Sequence, residues 1–283
     1  MEVAVGRVDN RHADRLCRFL ALVPLGKHNT GGAPWPAGRS NWYAGAHALP
    51  APFPAMMPVW EIAALSLKVS LWAVACSLPA SIACAWILAR CRFPGKILLD
   101  GLVHLPLVTP PVVVGYLLLA VLGRNGALGG WLHDTFGISL TFTWKGAAVA
   151  AAVMAFPLMV RAIRLGIESV DQRLEEAART LGATPLRALL TVTLPLAAPG
   201  LISGALLAFA RCLGEFGATI TFVSNVPGQT RTLPLAIYTL LQTPEGETAA
   251  AWLAGVSLML AILALAASEL AARAARKRLG RGA

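Results

Sequence analysis

Charged residues are clustered along this chain, and between the clusters lie five apolar runs, at about 65–88, 102–122, 146–160, 196–222 and 248–268. A run of about 20 such residues crosses a hydrocarbon core of roughly 30 Å as a helix, the open-chain form that satisfies its own backbone in lipid. The pattern predicts an all-α membrane protein with about five transmembrane helices. In the first run Lys68 stands near one end, where its stem can carry the amine to the headgroups. The second begins with Leu105-Pro-Leu-Val-Thr-Pro-Pro111, which cannot be regular helix throughout. The third is short, with Trp144 and Lys145 before it and Arg161 and Arg164 after it as interface markers. Arg211, Gly214, Glu215 and Gly217 interrupt the fourth, whereas the fifth is uncharged.

Composition agrees. The hydrophobic fraction is 57% and the charged fraction 13%, against about 25% charged in soluble domains. Arg90, Arg92 and Lys96 follow the first run. Arg161, Arg164, Arg173, Arg179 and Arg187 lie at or in the loop between the third and fourth, and Arg273, Arg276, Lys277, Arg278 and Arg281 follow the fifth. Five spans put all three clusters on one side, which the positive-inside rule makes cytoplasmic; the C-terminus is then inside and the N-terminus outside. These clusters largely account for the net charge of +10. No basic surface interleaved with aromatics points to nucleic acid.

Residues 1–57 fit neither a span nor a periodic core. The run from Phe19 to Gly26 contains Pro24 and is too short to cross, and no convincing cleavage site follows it. We read the segment as a disordered extension, or as an upstream start with translation beginning at Met56 or Met57; a small exterior domain is the alternative. Residues 274–283 read as a basic cytoplasmic tail.

The loop at 169–195 carries the most specific pattern. Ser169 with Gln172 resembles a capping box, and Asp171, Glu175 and Glu176 place negative charge in a helix's first turn. Gly182 ends that helix. Thr184 caps a second one with Pro185 at its first position, and this second helix is expected to end before Pro195. A helix pair lying at the interface is the plain reading. The stretch Glu176-Ala-Ala-Arg-Thr-Leu-Gly182, continuing to Val192-Thr-Leu-Pro195, nevertheless fills every position of the loop found in importer-type ABC permeases. It resembles their Glu-Ala-Ala motif, with Val192 in place of the commoner isoleucine. The resemblance implies that Glu176, Ala177, Ala178, Gly182, Val192, Leu194 and Pro195 form a cytoplasmic coupling loop that docks on an ATPase subunit.

Phe209-Ala-Arg-Cys-Leu-Gly-Glu-Phe-Gly-Ala-Thr219 is similar to a segment shared by permeases for tetrahedral oxyanions. Four further stretches narrow the likeness: His104 to Tyr116, Phe156 to Arg164, Phe222 to Pro234, and Tyr238 to Pro244. Together they resemble the permease subunit of molybdate ABC importers from about Pro58 to Arg278. That implies a type I importer permease domain over 58–273 in the inner membrane. Its implied partners are a second copy of this chain, two ATPase subunits, an external molybdate-binding protein and membrane lipid. Sulfate or tungstate permeases of the same family are the alternative, and an intramembrane enzyme or a structural anchor would belong to other classes.

This chain is expected to bind no cofactor and to be no enzyme. It has no Gly-x-x-x-x-Gly-Lys-Ser/Thr loop, so ATP and Mg belong to the ATPase. Its five cysteines form no Cys-x-x-Cys and its histidines no His-Glu-x-x-His, so no metal site is expected. No internal repeat spans the two halves, which favours a homodimer. Arg211 and Glu215, one helical turn apart within a span, read first as a structural ion pair and second as a gate latch. Gly214 and Gly217 are expected to allow close helix contact. Pro110 and Pro111 complete the candidate path or gate, with simple geometry of the helix start as the plain reading.

Overall fold

The computed structural model describes residues 59–244 and 246–280, and the expected 1–57 extension lies outside them. The described residues are helical without strands. In chain order the helices are α1 (Val59–Arg90), α2 (Lys96–Val108), α3 (Pro111–Leu122), α4 (Ala127–Phe136), α5 (Trp144–Glu168), α6 (Gln172–Thr180) and α7 (Pro185–Ala188). A π-helical turn (Leu189–Thr193) leads into α8 (Leu194–Leu196), followed by α9 (Ala198–Leu213), α10 (Gly217–Val223), α11 (Leu233–Leu241) and α12 (Glu247–Gly280).

α5 is the centre of the bundle. Ala147, Ala150, Ala151, Met154, Ala155, Met159, Val160, Ile163 and Ile167 are buried along it, and α1 and α9 pack on either side. The helices α1 and α5 run parallel. Trp72 meets Trp144 at one end, with ring centroids 6.1 Å apart, while Arg90 Nη2 donates to the Ile167 carbonyl at the other, at 3.0 Å. Lys68 sets its amine 4.0 Å over the ring of Trp144, the residue read as an interface marker, where the cation is attracted by the negative face of the indole.

Two parallel spans joined in sequence require an odd number of crossings between them. The crossing falls to α2 and α3, and the break lies at the prolines of the 102–122 run, where regular helix is not expected throughout: the pair is bent by 113°. Thr109 is extended, Pro110 precedes the helix, and Pro111 occupies its first turn. Pro110 and Pro111 lack the N–H groups that would continue α2, so the helix stops and restarts in a new direction. Asp100 Oδ1 lies 3.2 Å from Arg164 Nη1 at the Arg90 end, while Gly115 of α3 packs on Ala218 and Thr221 of α10, whose Val223 reaches Gly146 near the Trp144 end.

The return span, expected over 196–222 with an interruption from Arg211 to Gly217, is also broken. A 76° bend separates Pro185–Leu196 from Ala198–Leu213, and Gly214 to Phe216 separates α9 from α10. The crossing of α9 on α5 depends on two glycines. A Cβ on Gly200 would lie 2.7 Å from Gly166 Cα, so the backbones touch where no side chain fits. At the far end Cys212 Sγ lies 3.5 Å from the Ala151 carbonyl, and Val223 sits against Gly146. α12 then starts beside Ile62, Leu233 and Ala236 and packs along α9. Its 34 residues take the helix well past the expected limit at 268 and make the start of the basic tail helical.

The third span is likewise longer than the 146–160 run. Arg161 and Arg164 lie inside α5, and Arg164 pairs with Glu168 one turn on, at 2.7 Å, and with Asp100. The short helices α4 and α11 have no counterpart among the five runs; each is too brief to cross the core.

Candidate functional site: a coupling loop and a mid-span ion pair

α6 begins on Asp171, whose carboxylate accepts the Arg173 N–H at 3.0 Å. This corrects the Ser169 capping box: the Ser169 hydroxyl donates back to the Gly166 carbonyl and so closes α5 instead. Gly182 has φ of 91°, the left-handed region that glycine enters without strain. The Ala183 N–H reaches the Ala178 carbonyl at 3.1 Å and the Gly182 N–H the Arg179 carbonyl at 3.0 Å, completing the turn expected after α6. Thr184 Oγ1 accepts the Arg187 N–H at 3.3 Å, with Pro185 first in α7.

The second helix does not end before Pro195. It widens into a π turn over Leu189–Thr193 and continues through Leu194–Leu196. The wider register leaves room where Pro195 has no N–H to give and where its ring would otherwise strike the preceding turn. The bend follows at Ala197.

Glu176, Ala177 and Gly182 are exposed, while Ala178, Val192 and Leu194 are half-buried and Pro195 is exposed. Around them Leu174, Leu181, Leu186 and Leu190 also show large apolar surface, Leu181 being 89% exposed. A polar loop that carries four exposed leucines presents a face of the kind that binds a protein partner.

The residue that anchors this loop is Glu175, which the motif does not include. Its Oε1 accepts Arg90 Nε at 3.0 Å and the Thr193 hydroxyl at 2.9 Å. Arg90 also donates to the Ile167 and Val170 carbonyls, at 3.0 and 2.8 Å. The end of α1, the end of α5, α6 and the π turn are thereby tied to one another. Arg90 and Glu175 stand 85 positions apart, and no spacing rule joins residues so distant. Arg90, Glu175, Glu176 and Arg179 line a cleft of about 220 Å³ between α1 and the loop helices.

Within the fourth apolar run, Arg211 Nη1 lies 2.7 Å from Glu215 Oε2, the geometry of the ion pair read from their spacing. Glu215 Oε1 also accepts the Ala218 N–H at 2.9 Å, so this carboxylate caps α10. Gly217 packs against Pro111, where a Cβ would come 2.8 Å from the ring, and Gly115 of α3 faces the Ala218 carbonyl. Pro111, Gly217 and Glu215 therefore meet at one junction of α3 with α10. Gly214 is not part of that contact: a Cβ there would meet only the Arg211 carbonyl, at 4.0 Å. Phe216 and Tyr238 of α11 meet beside the break with their rings tilted at 53° and their centroids 5.0 Å apart.

Among the described residues no group of His, Cys, Asp or Glu is placed to hold a metal ion. Cys76, Cys84, Cys91 and Cys212 are free thiols.

With this geometry in hand, comparison with known proteins is specific. The family described as the binding-protein-dependent transport system inner membrane component matches residues 77–277. The molybdenum transport system permease protein ModB of Escherichia coli (strain K12) is 62% identical over 224 residues, covering 79% of this chain and 98% of that protein. The sulfate transport system permease protein CysT of the same organism is 42% identical over 181 residues, covering 64% and 65%. Among solved structures, an inward-facing form of the MetNI methionine ABC transporter aligns with a TM-score of 0.57 at 18% identity, over 77% of this chain and 94% of that one, and so shares the fold. The broken spans, the helix pair that follows α5 and the match over most of the sequence agree: the chain belongs to the family of binding-protein-dependent transport system inner membrane components.

Proposed function

We propose that this chain is the membrane-spanning permease of an ATP-driven importer that carries molybdate across the inner membrane. The observation that carries the substrate is the 62% identity to ModB over 98% of that protein, set against 42% over 65% of the sulfate permease CysT. The chain itself is no enzyme; hydrolysis belongs to a separate ATPase that holds ATP and Mg.

The mechanism follows from the loop and its anchorage. Glu176, Ala177, Ala178 and Gly182 with the neighbouring leucines form the docking face, and Val192, Leu194 and Pro195 shape the turn behind it. ATP-driven closure of two ATPase subunits displaces α6 and α7. The Arg90–Glu175–Thr193 cluster transmits that displacement to α1 and, through the bend at Ala197, to α9. The junction of Pro110 and Pro111 with Gly217, braced by Arg211 and Glu215, is where two broken spans change direction, and we assign it to the gate. Gly214 leaves the chain free to turn there. A second copy completes the path, and an external binding protein delivers the anion. Selectivity rests mainly with that protein, since a deep well in the path would slow release.

The loop faces the cytoplasm in this reading because Arg90, Arg164 and the loop arginines gather at one end of the bundle. Radiolabelled molybdate uptake tests the substrate, in cells without their own molybdate permease that express this chain with its ATPase and binding protein. Uptake blocked by excess tungstate but not by sulfate is expected. Sulfate uptake in place of molybdate would move the chain to the sulfate branch.

A further inference from the structure

The two partners of the mid-span ion pair are unequally buried. The Glu215 side chain is 2% exposed and that of Arg211 30%. Both carboxylate oxygens are occupied, one by Arg211 and one by the Ala218 N–H. A guanidinium carries five N–H donors, and among the described residues Glu215 is the only polar partner of Arg211. The pair thus hides its acceptor and leaves donors at the surface of α9.

Those donors lie within the apolar thickness. The neighbouring Cys212 contacts the Ala151 carbonyl. Along α5 that point is about 10 Å from Trp144 and about 25 Å from Glu168 at 1.5 Å per residue. Arg211, itself part-exposed, lies between the exposed Leu207, four residues before it on α9, and the exposed Gly214 just past the helix end, a stripe open on this side. A guanidinium with open donors is costly against lipid tails, so such a stripe faces a watery path or a second copy.

We propose that Arg211 is an anion contact on the translocation path, offering its guanidinium edge to a tetrahedral oxyanion while Glu215 holds it in place. This rests on the oxyanion reading given above. The planar fork matches paired oxygens of such an anion better than an ammonium does. The buried carboxylate offsets most of the positive charge, which keeps the site shallow enough for the anion to leave.

The test uses the complete importer in proteoliposomes, measuring molybdate moved per ATP hydrolysed with loaded binding protein in excess. Arg211→Gln with Glu215→Gln removes both charges together and leaves neither alone. That double variant should assemble and unfold near the wild-type temperature, yet lose about tenfold in molybdate moved per ATP, the scale of one charge-assisted hydrogen bond. Arg211→Lys, which keeps the charge without the fork, should fall between the two. A wild-type ratio in the double variant would show that Arg211 merely neutralises Glu215, and would overturn the proposal. Hydrolysis freed from the binding protein would also overturn it, in favour of a latch. If the double variant fails to assemble, an unchanged ratio and unchanged half-saturation in Arg211→Lys overturn it equally. Wild-type importer that moves sulfate but not molybdate would correct the substrate alone, and the same variants would then be read on sulfate.

Discussion

Arg90, the last residue of the first span, closes on Glu175 of the coupling loop with Nε 3.0 Å from Oε1, and both side chains are largely shielded, at 10% and 18% exposure. The contact joins a membrane helix to the loop helix on which a partner is expected to act. Replacing Glu175 with Ala removes the acceptor for both Arg90 and Thr193. The loss should destabilise the protein by about 1–3 kcal/mol and lower the transport yield per ATP. Thermal unfolding of the detergent-purified protein and uptake at matched membrane level check it. Full coupling in Glu175→Ala would show that the cluster carries no motion.

Gly182 has open space around a Cβ position and a left-handed backbone. A large side chain there points away from the bundle and onto the docking face. Gly182→Trp should therefore reach the membrane at normal level but fail to retain the ATPase on purification, with uptake lost. Gly182→Asn is the control, because asparagine tolerates this conformation; it should keep both. Normal ATPase retention by the Trp variant would remove Gly182 from the docking face.

Gly200 and Gly166 set the distance between α9 and α5. Gly200→Val forces the backbones apart and should cost about 1–3 kcal/mol or more, seen as a lower unfolding temperature and less protein in the membrane. Gly255 on α12 has nothing within 4 Å of a Cβ. Gly255→Ala should be neutral or raise stability by up to about 1 kcal/mol. Equal behaviour of the two variants would count against a packing role for Gly200.

Arg211→Gln strands the Glu215 carboxylate at 2% exposure. Removing one partner of a buried pair costs about 3–5 kcal/mol, at the lower end here because Arg211 itself is part-exposed. Yield and thermal stability should fall in the single variant and recover when Glu215→Gln is added. A single variant as stable as wild type would show that the pair is not needed for folding.

Local chemistry was readable from residues a few positions apart. The turn at Gly182 and the Thr184 cap with Pro185 depend on neighbours within one helical turn, as does the Arg211–Glu215 pair at four residues' spacing. The apolar runs likewise announced helices in a membrane, since chain length against core thickness decides that. Prolines 110 and 111 marked a break, but its 113° angle depends on Gly115 and Gly217 admitting α10 against α3, a fit between segments some hundred residues apart. Pro195 shows the limit from the other side. Sequence rules ended its helix, whereas the structure absorbs the missing N–H in a π turn whose Thr193 hydroxyl is held by Glu175. The Glu175 clasp on Arg90 spans 85 positions, and its existence depends on α1 and α5 ending side by side. Helix identity and termini follow from short-range backbone energetics that a sequence carries in itself; bend angles and long-range ion pairs follow from which surfaces meet, and only the packed bundle decides that.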